Sequence, residues 1–146
     1  MARLDTDTIA CWVLKTTQPP KDLVPGWRTG VTHELIRCVR PSYRLALMAA
    51  GQPCLLWLSG RDRPGVHALG HLTGTPEADG EGPVVPLRVA LLADPVPRAE
   101  LLADPRARDA EVLRMPAGSN PSWLSADQFA AVLTRVEEPG LGPWQP

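Results

Sequence analysis

Two histidines, His67 and His71, stand four residues apart, the interval at which a helix would aim two imidazoles at one metal ion. Ala68 follows the first, where a zinc protease carries glutamate, and no third carboxylate ligand is identifiable. They read as solvated or hydrogen-bonded strand histidines, and no metal site is expected. Gly65 and Gly70 have the spacing of a phosphate-binding loop, yet His71-Leu72 follows where Lys-Ser/Thr is required. The phosphate-binding cation and the magnesium ligand are both missing. Ser59 lacks the G-x-S-x-G elbow of a hydrolase nucleophile, because Trp57 occupies the first glycine position. Cys11, Cys38 and Cys54 show no C-x-x-C spacing and each lies in an apolar run, which marks them as small hydrophobes rather than redox groups. No catalytic residue and no cofactor are expected.

What remains is aromatic and cationic. Five tryptophans stand beside one Tyr and one Phe, and an indole stacks planar rings while its N–H fixes their orientation. Trp12 and Trp57 fall in apolar runs that suit core packing, whereas Trp27 and Trp123 fall in loop-like sequence near Gly and Pro, equally suited to stacking. The net charge is −1, so no global basic field holds nucleic acid and a histone-like binder is excluded. Charge is nonetheless uneven. Residues 28–63 carry six arginines against two acids, a local +4, and residues 77–111 carry eight acids against four arginines, a local −4. Arg37, Arg44, Arg61 and Arg63 are the candidates for tracking a phosphate backbone over the first half, as opposed to a merely solvated face.

These residues need elements to position them. Residues 8–14 (TIACWVL) have the β-branched and aromatic content of a first strand, and the prolines from Pro19 to Pro25 make the next segment a loop. Residues 27–39 are ambiguous. Ser42 is a good N-cap for a helix of about two turns that ends at Gly51. Residues 54–59 and 66–73 predict an antiparallel hairpin across a charged turn, with Val66, Ala68, Gly70 and Leu72 on one face and a bulge or close backbone approach at Gly70. A polar loop over 74–82 leads to a strand at 84–92, which Pro86 would place at a sheet edge. A short helix is expected over 97–103 and a fifth strand over 111–115. Ser125 and Gln128 form a capping box before Phe129, Val132, Leu133 and Val136 at helical spacing, which predicts a final helix.

The 146 residues, 44% of them hydrophobic, suit one core: residues 1–136 form the domain and 137–146 a C-terminal tail. Seventeen prolines are spread as punctuation between apolar runs, so short strands joined by stiff loops, an α+β domain with barrel-like character, are expected. No run approaches the ~18 apolar residues of a membrane span and no signal-like h-region opens the chain, so a cytoplasmic protein without a membrane partner is expected.

Several segments in order resemble EVE domains. Residues 11–16 (CWVLKT) are similar to the family's opening strand, and residues 39–44 (VRPSYR) to its V-R-N-Y-x-x-R segment. Residues 51–59 (GQPCLLWLS) resemble the G-D-x-(apolar)-(aromatic)-x-S strand, 65–70 (GVHALG) the next G-(apolar)-x-G strand, and Gly118-Ser119-Asn120-Pro121 the loop before the last helix. The resemblance implies a PUA-like fold, a small mixed β-barrel of about five or six strands with flanking short helices. It implies a module that reads a modified nucleobase in DNA or RNA through an aromatic pocket, without catalysis. The pocket residues it implies are Lys15 and Thr16, Val39 and Arg40 through their backbone, Trp57, Ser59 and Asn120, with Trp12 as a further stacking candidate. Two departures stand out: Ile36-Arg37-Cys38 replaces an aromatic wall that then falls to Trp27, Tyr43 or Trp123, and Gln52 replaces the aspartate. The expected picture is a cleft walled by indole and floored by main-chain amides, between the first strand and the short helix. Two other functions fit the same residues. One is an amidohydrolase on a modified nucleoside, as in the related ASCH domains, using Lys15, Thr16 and Glu34. The other is a protein-interaction surface of Trp27, Trp123 and Trp144.

Overall fold

Strand β1 (Cys11–Thr16) is buried along its whole length. Cys11 and Val13 enter one apolar cluster while Trp12 and Leu14 enter another, so both faces of the strand are covered and its apolar run needs no polar alternation. The computed structural model describes residues 4–136. The tail and its Trp144 lie outside them.

After β1 come α1 (Pro20–Leu23) and β2 (Thr32–Cys38), then a 3-10 helix at Tyr43–Leu47, β3 (Pro53–Leu58), β4 (Gly65–Leu72), β5 (Glu77–Asp79) and the long β6 (Gly82–Pro97). The chain continues through α2 (Arg98–Ala103), α3 (Glu111–Arg114), β7 (Ser122–Leu124) and α4 (Ala126–Leu133). The seven strands form one mixed sheet in the order β2-β6-β4-β3-β1-β7, with β5 on β6 and β1 parallel to β3. The class is α+β as expected, with more strands than the five or six foreseen. The pairings run as an open path from β2 to β7, so the sheet is not closed into a barrel. Helices α2, α3 and α4 send Leu101, Val112, Leu113 and Phe129 into one cluster. Trp27, Met48 and the alternate β6 residues Val85, Leu87 and Val89 fill the other. No described helix is long and apolar enough to cross a membrane.

Several local expectations hold. The β3–β4 hairpin pairs Cys54 with Gly70 and Leu56 with Ala68. Ser42 caps its helix by accepting from the Arg44 amide, although that helix is a 3-10 helix ending at Leu47 rather than two turns ending at Gly51, and Ser125 and Gln128 close both halves of their capping box. Gly70 marks a close approach rather than a bulge: a Cβ there would sit 1.7 Å from the Arg88 carbonyl oxygen of β6.

Other expectations are corrected, beginning with two segments read as loops: the one from Pro19 to Pro25 holds α1 and the one over 74–82 holds β5. Pro86 does not mark an edge, because β6 lies between β2 and β4. Its carbonyl accepts from Thr73, the residue just past the end of β4, so the missing proline N–H falls where that ladder has already ended. Residues 111–114 form α3 rather than a strand, and the adjacent Val112 and Leu113 enter the same cluster, which successive strand residues pointing to opposite faces could not do. The β4 alternation is broken at His67, where the register shifts against both neighbours, so Val66 shares a cluster with Leu69 instead of Ala68.

Candidate functional site

Asn120 ties the sheet to the loop that crosses its end. Its Oδ1 accepts from the Lys15 amide at 2.7 Å and its Nδ2 donates to the Lys15 carbonyl at 3.0 Å, so the side chain acts as an extra strand residue at the end of β1. Its own carbonyl accepts from the Arg40 amide at 2.9 Å, which draws the chain after β2 toward the loop before β7. Lys15, 9% exposed, donates from Nζ to the carbonyls of Gly118 at 2.8 Å and Met115 at 3.3 Å. Burial lowers the Lys15 pKa from its ordinary 10.5, the Glu111 carboxylate opposes that shift, and Arg44 reinforces it.

The second anchor is ionic. Arg44 grips Glu111 through two hydrogen bonds of 2.8 and 2.7 Å and donates to the Pro121 carbonyl at 2.9 Å, while Ser122 Oγ donates to the same carboxylate at 2.9 Å. Arg44 holds the Glu111 carboxyl below its ordinary 4.5 against the opposing effect of burial, with Ser122 and Lys15 adding to the shift. Arg40 donates from Nη1 to Ser119 Oγ at 3.0 Å. Together Arg40, Ser42, Arg44, Glu111, Ser119 and Asn120 surround a cleft of about 240 Å³.

Four of the expected residues thus meet at one place: Arg40, Arg44 and Asn120 line the cleft, and Lys15 holds its loop from beneath. The cleft has no indole wall. Trp12, Trp27 and Trp57 are 1%, 2% and 3% exposed, committed to the core on both sides of the sheet. The Trp12 indole donates to Gln52 Oε1 at 2.7 Å, and Gln52 also holds the Leu47 carbonyl and the Ala49 amide, so this departure from the family pattern fastens the 3-10 helix to β1. Trp27 donates to the Val31 carbonyl at 2.7 Å and meets His33 edge-on at 5.4 Å between ring centres. Trp123, half-buried, stands opposite Trp12 in β7 and packs on the same cluster. Tyr43, also half-buried, accepts from the Leu4 amide through its hydroxyl.

Nor are the main-chain amides expected to floor the cleft available. The Val39 amide donates to Pro83, the Arg40 amide to Asn120 and the Ser59 amide to Thr16, so all three are occupied within the protein. Thr16 is buried and its hydroxyl closes a turn with Gln18. Arg37 is half-buried, with its Nε lacking a hydrogen-bond partner, and Arg61 and Arg63 are exposed in the β3–β4 turn. Ser42, Glu111 and Ser119, absent from the sequence-based set, are the polar residues the structure adds. Ser119 was legible in the loop segment; Glu111 was hidden by its assignment to a strand.

No protein-family model matches the sequence, and no curated protein matches it at the sequence level. Solved structures do. The chain is similar to a hypothetical protein from Leishmania major at 18% identity, TM-score 0.68, over 89% of this chain and 96% of that one. It is similar to the DUF55 domain of human thymocyte nuclear protein 1 at 16% identity, TM-score 0.57, over 86% and 97%. A crystal structure of human THYN1 protein in complex with DNA containing 5-methylcytosine gives 17% identity, TM-score 0.54, over 88% and 98%. The resemblance to EVE domains holds at the level of architecture: this chain has the fold of the DUF55 domain.

Proposed function

We propose that this domain binds nucleic acid and recognises a modified base, with the Arg40–Asn120 cleft as the place where the base is read. The observation that carries the reading is the shared fold with a human protein solved on DNA containing 5-methylcytosine. The cleft supports it with the exposed Arg40 guanidinium and the Ser42 and Ser119 hydroxyls within about 240 Å³, on walls held in place by the Arg44–Glu111 pair and by Asn120, a mix of donors and acceptors suited to a base edge. With no aromatic wall, hydrogen bonds must return the few kcal/mol that extracting a base costs, so recognition is polar and affinity modest.

The hydrolase reading loses its geometry. Glu34 is exposed on β2 and paired with Arg88 at 2.7 Å, while Lys15 faces Glu111 instead. A tryptophan interaction patch is likewise not formed among the described residues, because Trp27 is buried.

Fluorescence anisotropy with matched oligonucleotides, unmodified or carrying one 5-methylcytosine, in DNA and RNA, tests the proposal. A preference of about tenfold for one modified member, reduced by Arg40→Gln, is the expected result. Equal affinity for every member of a panel of modified bases and their unmodified twins would overturn it.

A further inference from the structure

A second and larger cleft, about 300 Å³, opens where β1 and β3 end and β4 begins. Its origin is a fault in the ladder at His67. Toward β3 the pairing steps from Leu56↔Ala68 to Trp57↔Val66, and toward β6 from Ala68↔Leu91 to Val66↔Val96, so His67 has no register partner on either side. Bulges of this kind re-aim a side chain and occur preferentially beside functional sites. Here the four β6 residues from Leu92 to Pro95 fall between the register pairs, and His67 lines the opening while only 7% exposed.

The surroundings are chemically asymmetric. Leu58, Leu91 and the rings of Pro19, Pro20 and Pro95 supply apolar walls. Lys21 and Arg63, both exposed, supply two cations that form no ion pair among the described residues. Asp62 and Thr29 complete the polar set. His67 Nε2 lies 2.7 Å from the Arg63 carbonyl, an acceptor, which places the ring proton on Nε2 and leaves Nδ1 a lone pair. Burial lowers the His67 pKa from its ordinary 6.5, so the ring is neutral near pH 7 and does not repel the neighbouring guanidinium. Arg63 adopts φ 54°, a left-handed conformation that no other described non-glycine residue takes.

We infer that this cleft is a nucleotide subsite, with Lys21 and Arg63 receiving a phosphate and the His67 side of the cleft receiving the flat heterocycle attached to it. The inference rests on the nucleic-acid reading above and extends it: the strand whose modified base is read near Arg40 places a second nucleotide here. A volume of about 300 Å³ lies at the lower end of small-molecule sites, more than a bare phosphate fills. Apolar walls lined by two exposed cations match the two chemical halves of a nucleotide, and the Asp62 carboxylate among the lining residues favours a base that presents an amino group.

The test uses the whole chain with two probes. Titrating isotope-labelled protein with deoxycytidine 5′-monophosphate should shift the amides of Lys21, Thr29, Asp62, Arg63 and His67, with deoxycytidine and inorganic phosphate each binding at least tenfold more weakly. The exposed double substitution Lys21→Gln/Arg63→Gln should weaken monophosphate binding at least tenfold. It should also flatten the salt dependence of single-stranded oligonucleotide binding by about 0.7 in log–log slope for each phosphate that the protein no longer neutralises. Arg108→Gln/Arg114→Gln, which removes the same charge elsewhere, should change neither. If the monophosphate shifts none of these amides, or the double variant binds oligonucleotide with unchanged affinity and slope, the subsite is refuted while the base-reading proposal stands on its own test. If the monophosphate maps to this cleft but no modified oligonucleotide is preferred, the base-reading proposal fails and the nucleotide site remains.

Discussion

Asn120 does at the end of β1 what a strand neighbour does elsewhere: it satisfies one amide and one carbonyl of Lys15 at once. Asn120→Ala removes both hydrogen bonds and leaves the Lys15 amide without its acceptor, so urea unfolding should show a loss of about 1–3 kcal/mol; Asn120→Asp, which keeps the acceptor, should lose less. The Arg44–Glu111 pair sets a pH dependence. Because Arg44 holds the folded-state Glu111 pKa below its ordinary 4.5, the pair's contribution is complete above that value and declines as pH falls through the folded-state value. Glu111→Gln should therefore lower Tm at pH 7, and the gap from the parent protein should narrow between pH 4.5 and more acid solution; a gap that stays constant would show that the carboxylate is not the source. These hydrogen bonds escape a linear reading because they join residues 105 and 67 positions apart.

Among the elements, legibility follows the range of the forces involved. The capping box of α4 lies within four consecutive residues and its two hydrogen bonds are present as expected, at 2.8 and 3.3 Å. Ser125→Ala should cost about 1 kcal/mol in the same unfolding measurement. Gly70→Ala should be far more damaging, about 3 kcal/mol or more or failure to fold, since the new Cβ would meet the Arg88 carbonyl of a central strand that cannot retreat. Where a sequence cue depended on what lay beside the element it misled. Residues 111–114 are too short for their pattern to separate helix from strand, and the adjacent Val112 and Leu113 are decided by packing into the helical side of the core. The three-residue β7 has no signal of its own and exists because β1 offers an edge to Trp123 and Leu124. The bulge at His67 left no mark either, since an alternating segment looks uninterrupted until its partners skip a residue.

For the whole molecule the charge pattern narrows to fewer available cations than the count of arginines indicates. Arg44 is consumed by Glu111, and Arg88 is paired with Glu34. Arg61 and Arg63 remain exposed in the β3–β4 turn, and Arg40 stays exposed at its cleft while bonded to Ser119. Binding should consequently be weak and salt-sensitive, and a modified base in single-stranded or mismatched DNA should bind roughly tenfold or more tighter than the same base fully paired, since less stacking and pairing must be broken. Anisotropy on the three substrates measures this directly, and equal affinities would mean that no base leaves its stack. Composition and local pattern alone already indicate an α+β chain with a capped last helix, a central hairpin and no standard catalytic or metal motif in the sequence, because those properties depend on side-chain type and on neighbours within a few residues. Which residues share a cleft, that three indoles are sealed in the core, and that the Val39 and Arg40 amides are spent on Pro83 and Asn120 were decided by the tertiary structure. Burial and hydrogen-bond partnership depend on where distant segments pack, and that packing is set by the whole sheet at once rather than by any one stretch of sequence.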